Sequence, residues 1–446
     1  MSITANFASL RNPVFARLYT AQTVNLIGDA LTWVGLALLA FELAGENAAA
    51  VLSVALTLRV GAFVVLAPFA GVVADRFDRK RILVGTHLVR MVVVGLLPFV
   101  EQIWQLYALV LALNAMGAFF TPTYQATIPA VVGREDYARA IALSGATYQL
   151  LGVLGPGIAG AVAAWLGARQ VFFLDALSFL LAAILILSLP ERLAPAGYTA
   201  RSSRDWRSVL EGSARLFGDQ TLRYALALQL VAAVAGAQIL VNTVGLIKGG
   251  LGLGNAQYGW VMAAFGLGAT LSALAVGAIS NEQNRVRLLL PGAFLLAVSV
   301  LPADGAGLMW LLVLWALAGA GESLINIPTQ SLIAERTPEE YQGRVYGAHF
   351  AWSHLWWAMA YPLAGWTGTN AGSWSFLWGG SIALVVLVTV RLVLAPPETA
   401  EHEHEGYWHE HDDMHEPSGN VQHRHYHPPV RHAHSGGSGA HVHEHG

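Results

Sequence analysis

The chain has 446 residues, of which 55% are hydrophobic and 12% charged, with a mean hydropathy of +0.51, so it carries about half the usual proportion of charge for a soluble protein. That balance excludes a soluble protein and points to a polytopic membrane protein, while zero cysteines exclude disulfides, thiolate zinc sites and cysteine-based metal pumping. The formal charge of −3 has two parts: nine acids and two arginines from Glu398 onward give −7, which leaves +4 for the membrane body.

The first residues place Phe7, Leu10, Val14 and Leu18 at helical spacing with Arg11 and Arg17 between them. This suits a short helix on the inner leaflet, and a frayed terminus fits equally. No positive n-region followed by a short apolar core and a cleavage site opens the chain, so no cleavable signal is expected. The first span is predicted at 18–41 and carries Gln22, Asn25 and Asp29 on one helix face. A polar stripe in lipid is costly, so it faces a water-filled cavity or partner helices. Span two, 48–73, carries Arg59, and span three, 82–99, carries His87 and Arg90. Between them the charged loop around Asp75, Arg76, Asp78, Arg79, Lys80 and Arg81 reads as a tight cytoplasmic turn.

Span four is predicted at 104–120 and span five at 138–164, the latter containing Gly152-x-x-Gly155-Pro156-x-x-Ala159-Gly160. Small residues there let a neighbouring helix approach closely, and Pro156 permits a kink. Span six, 170–189, includes Asp175, which with Arg90 reads as a structural or gating charge. The connection 190–221 is basic, with six arginines between Arg192 and Arg223 and an amphipathic segment from Trp206 to Phe217. Spans seven to twelve fall near 222–247, 256–279, 287–302, 308–333, 345–367 and 374–395.

The second half repeats the first. Gly71-x-x-x-Asp75-x-x-x-Arg79-x-Arg81 aligns with Gly277-x-x-x-Asn281-x-x-x-Arg285-x-Arg287 at an offset of 206, and Gly133 to Tyr137 aligns with Thr337 to Tyr341 at an offset of 204. Such duplication in a membrane protein indicates two bundles rocking about a central site. The loop resembles that of the major facilitator superfamily, Gly-x-x-x-Asp-Arg/Lys-x-Gly-Arg-Lys/Arg, with Gly71, Asp75, Arg76, Arg79 and Lys80 as its gating residues and Asp78 where the family has a second glycine. Gly152, Gly155, Pro156 and Gly160 resemble the superfamily motif associated with antiporters; close packing explains the same residues. The resemblance implies an all-α fold of twelve transmembrane helices in two six-helix bundles, 1–189 and 222–395, joined by the linker 190–221 and followed by a tail, 396–446. Both termini are expected inside, because this places 21 of 25 cations in cytoplasmic segments, with Arg169 and Lys248 outside and Arg59 and Arg90 within spans.

In that superfamily spans one, four, seven and ten line the central cavity. Here Asn25 with Asp29, Gln238 with Asn242, and Glu322 with Asn326 form i, i+4 pairs on three of these spans. The functional reading is a pathway for substrate and protons, and the plain reading is interhelical hydrogen bonding, which is favoured for Gln238 and Asn242. Asp29 and Glu322 are the candidate ion-binding carboxylates, since an ionisable group within a span is a functional candidate by default. Asp29 also fits a role in coupling or conformational locking. His349 and His354, five residues apart on span eleven, sit about 140° around the helix and cannot easily bind one ion by themselves.

After Pro397 the composition changes, and 13 of the 16 histidines fall in the tail: His402, His404, His409, His411, His415, His423, His425, His427, His432, His434, His441, His443 and His445. This segment cannot bury an apolar core and is expected to be disordered, with His-x-His units that wrap a divalent ion such as Ni(II), Zn(II), Cu(II) or Co(II). Body and tail together resemble nickel-resistance exporters of the NreB type, within a branch that also resembles macrolide and siderophore exporters. The implied function is proton-coupled efflux of Ni(II), with Co(II) as a second cargo, by a monomer in a bacterial-type cytoplasmic membrane. Its partners are then the metal ion, protons and lipid, with no resident cofactor and no nucleic acid. The alternative is an exporter of a drug, siderophore or metal chelate whose tail buffers metal, and a third reading is a membrane metal sensor or store. No catalytic triad, phosphate loop or ATP motif is visible, so an enzyme is not expected.

Overall fold

The computed structural model describes residues 7–189, 206–279, 282–394, 399–404, 407–412, 422–427 and 430–435. After a short 3-10 turn at Phe7–Arg11, the helices are α1 (Pro13–Ala44), α2 (Ala48–Arg76), α3 (Arg79–Leu96), α4 (Ile103–Leu166), α5 (Val171–Leu187), α6 (Trp206–Gly218), α7 (Gln220–Val244), α8 (Asn255–Ile279), α9 (Glu282–Val300), α10 (Leu308–Arg336), α11 (Glu339–Asn370) and α12 (Ser375–Val393). Several begin or end a turn or more outside the predicted spans, as at Pro13, Glu282, Glu339 and Asn370. Their polar end turns lie beyond the apolar stretch that hydropathy detects. Side-chain caps fix the starts of α1 and α3. Asn12 accepts from the backbone N–H of Val14 and Phe15 ahead of Pro13 at the first turn. Asp78, standing where a glycine was expected, accepts from Arg81 N at 2.8 Å and caps α3.

Spans four and five are one hydrogen-bonded helix, α4, of 64 residues, which would run roughly 96 Å if straight. It does not run straight. Arg169, just past its end, donates to the carbonyls of Pro98 and Val100, just before its start, at 2.8 Å each. The two ends therefore lie side by side and the chain reverses between them, crossing twice. The expected connection between the two spans, 121–137, is thus helical, and the reversal falls inside one run of helix. With α4 counted as two crossings and α6 set aside as the amphipathic connector, the described helices make twelve spans.

The helices of each half pack chiefly on one another: α1, α3 and α5 together with α2 against α4 in the first, and α8, α9 and α10 with α7 against α11 and α12 in the second. The halves meet through α4 against α8 and α2 against α11. Most cations lie on the face that carries the turn at Asp78, the connector α6 and the ends of α10 and α12, called here the arginine-rich face; the other is the far face. On the arginine-rich face Lys80 donates to the carbonyl of Leu189 at 2.5 Å and Arg17 to that of Ser188 at 2.9 Å. Both cations sit where a helix C-terminus leaves carbonyls unbonded.

The tail differs from the disorder expected of it. Over its described residues it forms four strands, with β1 (Thr399–His404) pairing antiparallel with β4 (Val430–Ser435) and β2 (Tyr407–Asp412) with β3 (Gln422–His427). The register sets His402 opposite His432, His409 opposite His425 and His411 opposite His423, with Glu403 opposite Arg431 and Glu410 opposite Arg424. The His-x-His alternation has the period of a strand, and opposite charges across a ladder favour pairing. His415, His441, His443 and His445 lie outside the described residues, as do linker residues 190–205.

Candidate transport site

The first half places a charged cluster at the level of Asp29. Arg90 Nη2 donates to Asp29 Oδ1 at 2.7 Å, and its Nη1 donates to Asn25 Oδ1 at 3.3 Å. Asn25 Nδ2 donates to Asp29 Oδ2 at 3.1 Å, so each group of the trio serves the other two. The guanidinium lies 4.2 Å from the ring centroid of Phe179, a cation–π contact that adds to the ion pair. Asp175, expected as a gating charge, is fully buried and accepts from Thr32 Oγ1 at 2.5 Å and Ser178 Oγ at 2.8 Å. Asp29 is therefore not an open carboxylate awaiting a cargo cation, because its partner is built in.

The second half is arranged otherwise. Glu322 accepts only from Asn326 Nδ2, at 3.4 Å, and Asn326 accepts from Gln229 Nε2 at 3.2 Å. No described cation pairs with Glu322, whose side chain is half-buried. Gln238 and Asn242 do not line a passage. They are 0% and 4% exposed, bond to one another at 2.7 Å, and tie α7 to α11 through Thr367 and the carbonyl of Ala364. Gly379 and Gly368 make room for them, since a Cβ at either would fall 2.2 or 2.1 Å from these amides. This is the interhelical bonding that the sequence favoured for the pair. His354 bonds through Nδ1 to the carbonyl of Phe350 at 2.8 Å and stacks on that ring, while His349 is buried.

Between the halves lies a residue that the sequence offered only as an isolated charge. Arg59 of α2 is partly accessible, has no described carboxylate partner and lies over the ring of Trp33 of α1 at 4.1 Å. It acts electrostatically on Tyr361 and His354 of α11, and Tyr361 in turn lies within electrostatic range of Glu322. Arg59 of one half and Glu322 of the other thus share the neighbourhood of Tyr361, and neither has an ion-pair partner among the described residues. The signal for this was present: Trp33 continues the stripe Gln22, Asn25, Asp29 by one more turn, and the residues three and four away from Arg59 are all apolar.

The tightest approaches between the halves fall at the far face. A Cβ at Gly160 would lie 2.1 Å from Gly259 Cα, one at Gly157 2.5 Å from Ala263 Cβ, and one at Gly365 2.1 Å from Ser53 Oγ. Gly155 makes the same kind of approach within the first half, to Ala30 at 2.6 Å. The glycines of the antiporter-like stretch therefore let backbones touch across the seam, which closes the far face. Arg79 is buried and engaged, and in the repeated loop Arg285 pairs with Glu335 of α10. The side chains of Gly71, Asp75, Arg76, Gly152 and Pro156 lie outside the described ones. Among the described residues, no three His, Asp or Glu side chains converge to hold a metal ion.

Relatives were found at three levels. The chain is 28% identical over 348 residues to the MFS-type transporter YfiS of Bacillus subtilis, covering 74% of this chain and 81% of that one. It is 27% identical over 406 residues to the enterobactin exporter EntS of Escherichia coli, covering 85% and 93%. In fold it is similar to the nucleoside transporter NupG, with a TM-score of 0.67 at 11% identity over 86% of this chain and 99% of that one. It is also similar to a bacterial homologue of the lysosomal transporter Spinster in an inward-facing, occupied conformation, with a TM-score of 0.64 at 15% identity over 86% and 95%. These relatives support efflux and give no support to the narrower nickel-resistance type. The model of the transmembrane secretion effectors matches residues 4–425, and the chain belongs to that family of major facilitator transporters, as a multi-pass membrane efflux protein.

Proposed function

We propose that this protein exports an organic compound, of the siderophore, drug or metal-chelate kind, from the cytoplasm in exchange for protons. The observation that carries this reading is a pair of ionisable groups with no partner of opposite charge among the described residues, Arg59 over Trp33 on one half and Glu322 on the other. A charge inside a span without a partner is costly, and the cost falls when cargo or water supplies the missing partner. A compound with aromatic surface and an anionic group fits Arg59 and Trp33, through an ion pair and stacking together. The similarity to an enterobactin exporter favours cargo of that chemistry. The arginine-rich face is cytoplasmic on this reading, by the charge asymmetry of the loops, and the closed far face makes this the loading state of an exporter in a bacterial-type inner membrane. Glu322 then takes the return proton when cargo leaves, and the protein works as a monomer.

Bare Ni(II) export is the second reading, and the 13 tail histidines are what favour it. It relies on Asp29 and Glu322 each giving up a proton to bind metal, and the bond from Arg90 to Asp29 weighs against the first of these. The tail is placed here as a cytoplasmic metal buffer, with Ni(II) or Co(II) as its ligand. The test is uptake into inverted vesicles containing full-length protein or a chain truncated after residue 395, with enterobactin, a macrolide, ethidium and NiCl2 as separate cargoes. Gradient-dependent uptake of an organic cargo, unchanged by truncation, is expected. Uptake of NiCl2 alone, lost on truncation, would overturn the proposal in favour of metal export.

A further inference from the structure

Asp175 is the acid that the transport site described above leaves unused. Its surroundings among the described residues can be named. From α1 come Thr32 and the backbone at Gly28, with Asp29 beyond; from α3 come Arg90 and His87; from its own helix come Ser178 and Phe179. From α4 the described neighbour of this group is Phe120, which packs on His87 and brings no charge. His87 makes no hydrogen bond through either ring nitrogen and lies between two aromatic rings, so it offers Asp175 no counter-ion. The cluster thus holds two carboxylates and one guanidinium, and the guanidinium is already bonded to Asp29.

In a water-free interior that surplus negative charge is costly, and the least costly remedy is a proton on one carboxyl. The hydrogen bonds indicate which one. Asp29 receives a guanidinium and an amide N–H, both of which can only donate and so suit an ionised acid. Asp175 is held by two hydroxyls, and a hydroxyl can donate to a carboxylate or accept from a carboxylic acid without moving. The seat is also built closely: a Cβ at Gly28 would fall 2.0 Å from Asp175 Oδ1 and 2.1 Å from Ser178 Oγ, so only glycine lets α5 bring this carboxyl against α1.

We propose that Asp175 is a proton-binding site of the first half, working as a pair with Asp29 that shares one proton and one guanidinium. In the state seen here Arg90 is closed on Asp29 and the proton is on Asp175. When the halves rock and Arg90 turns to Asp175, the O–H bond of Asp175 breaks and its proton passes to Asp29. Asp29 is 26% exposed in its side chain, and water takes the proton from there. This deepens the proton-exchange part of the proposed function and rests on it for its purpose, but the site is testable without cargo.

The experiment is infrared spectroscopy of the purified full-length protein in lipid, following the carbonyl stretch of protonated carboxyl groups at neutral pH. Wild type is expected to show such a band, and Asp175→Asn to lose a component of it while eluting as a folded monomer. Thr32→Val, which removes one hydroxyl partner and leaves both acids, is expected to shift the frequency of the same component. A spectrum unchanged in both variants overturns the proposal; if Asp175→Asn does not fold, the Thr32→Val spectrum alone decides. Absence of transport for every organic cargo would sink the exporter reading and leave the infrared result standing, so the two failures are distinguishable.

Discussion

The two halves repeat one plan of six spans, yet their polar centres stand at positions that do not correspond and are built differently. In the first half Asp29 is locked by Arg90 and Asn25, all three within hydrogen-bonding distance. In the second half Glu322 has one long bond to an amide and no described cation. A compensated charge holds helices in register and moves only when its partner moves. A charge without such a partner is available to a ligand. The first centre is therefore expected to report on folding and coupling, the second on cargo and turnover.

Asp29→Asn is the sharpest way to break that contrast. It leaves Arg90, with a side chain only 8% exposed, without the carboxylate it is bonded to; stranding one member of a buried pair costs about 3–5 kcal/mol, less what Asp175 recovers by giving up its proton to pair with Arg90. Thermal unfolding in detergent should drop accordingly, and Asp29→Asn combined with Arg90→Met should recover most of the loss, because the unpaired charge is then gone. Recovery that fails to appear would mean that the ion pair is not what Asp29 contributes.

Glu322→Gln should do the opposite. The amide keeps the shape and the bond to Asn326, so stability should change little, while gradient-driven export should fall by at least about tenfold, the effect of losing one charge-assisted interaction of roughly 1.5–3 kcal/mol. Comparing unfolding temperature and vesicle transport for the two variants on one preparation tests the division of labour directly. Equal loss of transport with no loss of stability in both would erase the difference between the halves.

The fold was largely legible in the sequence, because spans are written in apolar length and loops in charge. The duplicated loop, with Arg79 and Arg285 in matching places, carried the two-half plan. What could not be read was partnership. Asp29 and Glu322 look alike as acids in apolar runs; only the packing of α1 and α3 on α5 shows that Arg90 lies beside one of them, and that no described cation reaches the other. Trp33 extends the polar stripe of its helix by one turn, but it lies on a different helix from Arg59, and only the packing shows that the two meet at 4.1 Å. Asp78 was legible as a departure from the family pattern, but its service as a cap depends on the backbone turn that it terminates.

The seam between the halves offers a smaller effect that both share. Gly160→Ala adds a methyl group where Gly259 leaves no space, and overpacking of this kind costs about 1–3 kcal/mol. Here the cost falls on one conformation, since the contact exists only while the far face is closed. The population should shift toward the state open at that face. Cysteine labelling offers a direct readout, because the chain has no native cysteine: a reporter at Ser53 should react faster with an impermeant maleimide added from the far face when Gly160→Ala is present. An unchanged rate would mean that the glycine crossing does not bear on closure.

The smallest effect is expected from Asn242→Ala, which removes an interhelical bond between α7 and α11 in the second half. Such bonds within membranes are worth about 0.6 kcal/mol on average, because the separated helices find other partners for the same groups. Asn242 also donates to Gln238, whose oxygen keeps the hydroxyl of Thr367 after the change, so the site is not left wholly unsatisfied. Unfolding should therefore move by only a degree or so, and transport not at all. Were Asn242→Ala instead to abolish export as Glu322→Gln is expected to do, the functional centre of the second half would extend toward the far face along α7, and the contrast drawn between buried amide glue and the open carboxylate would have to be redrawn around α7.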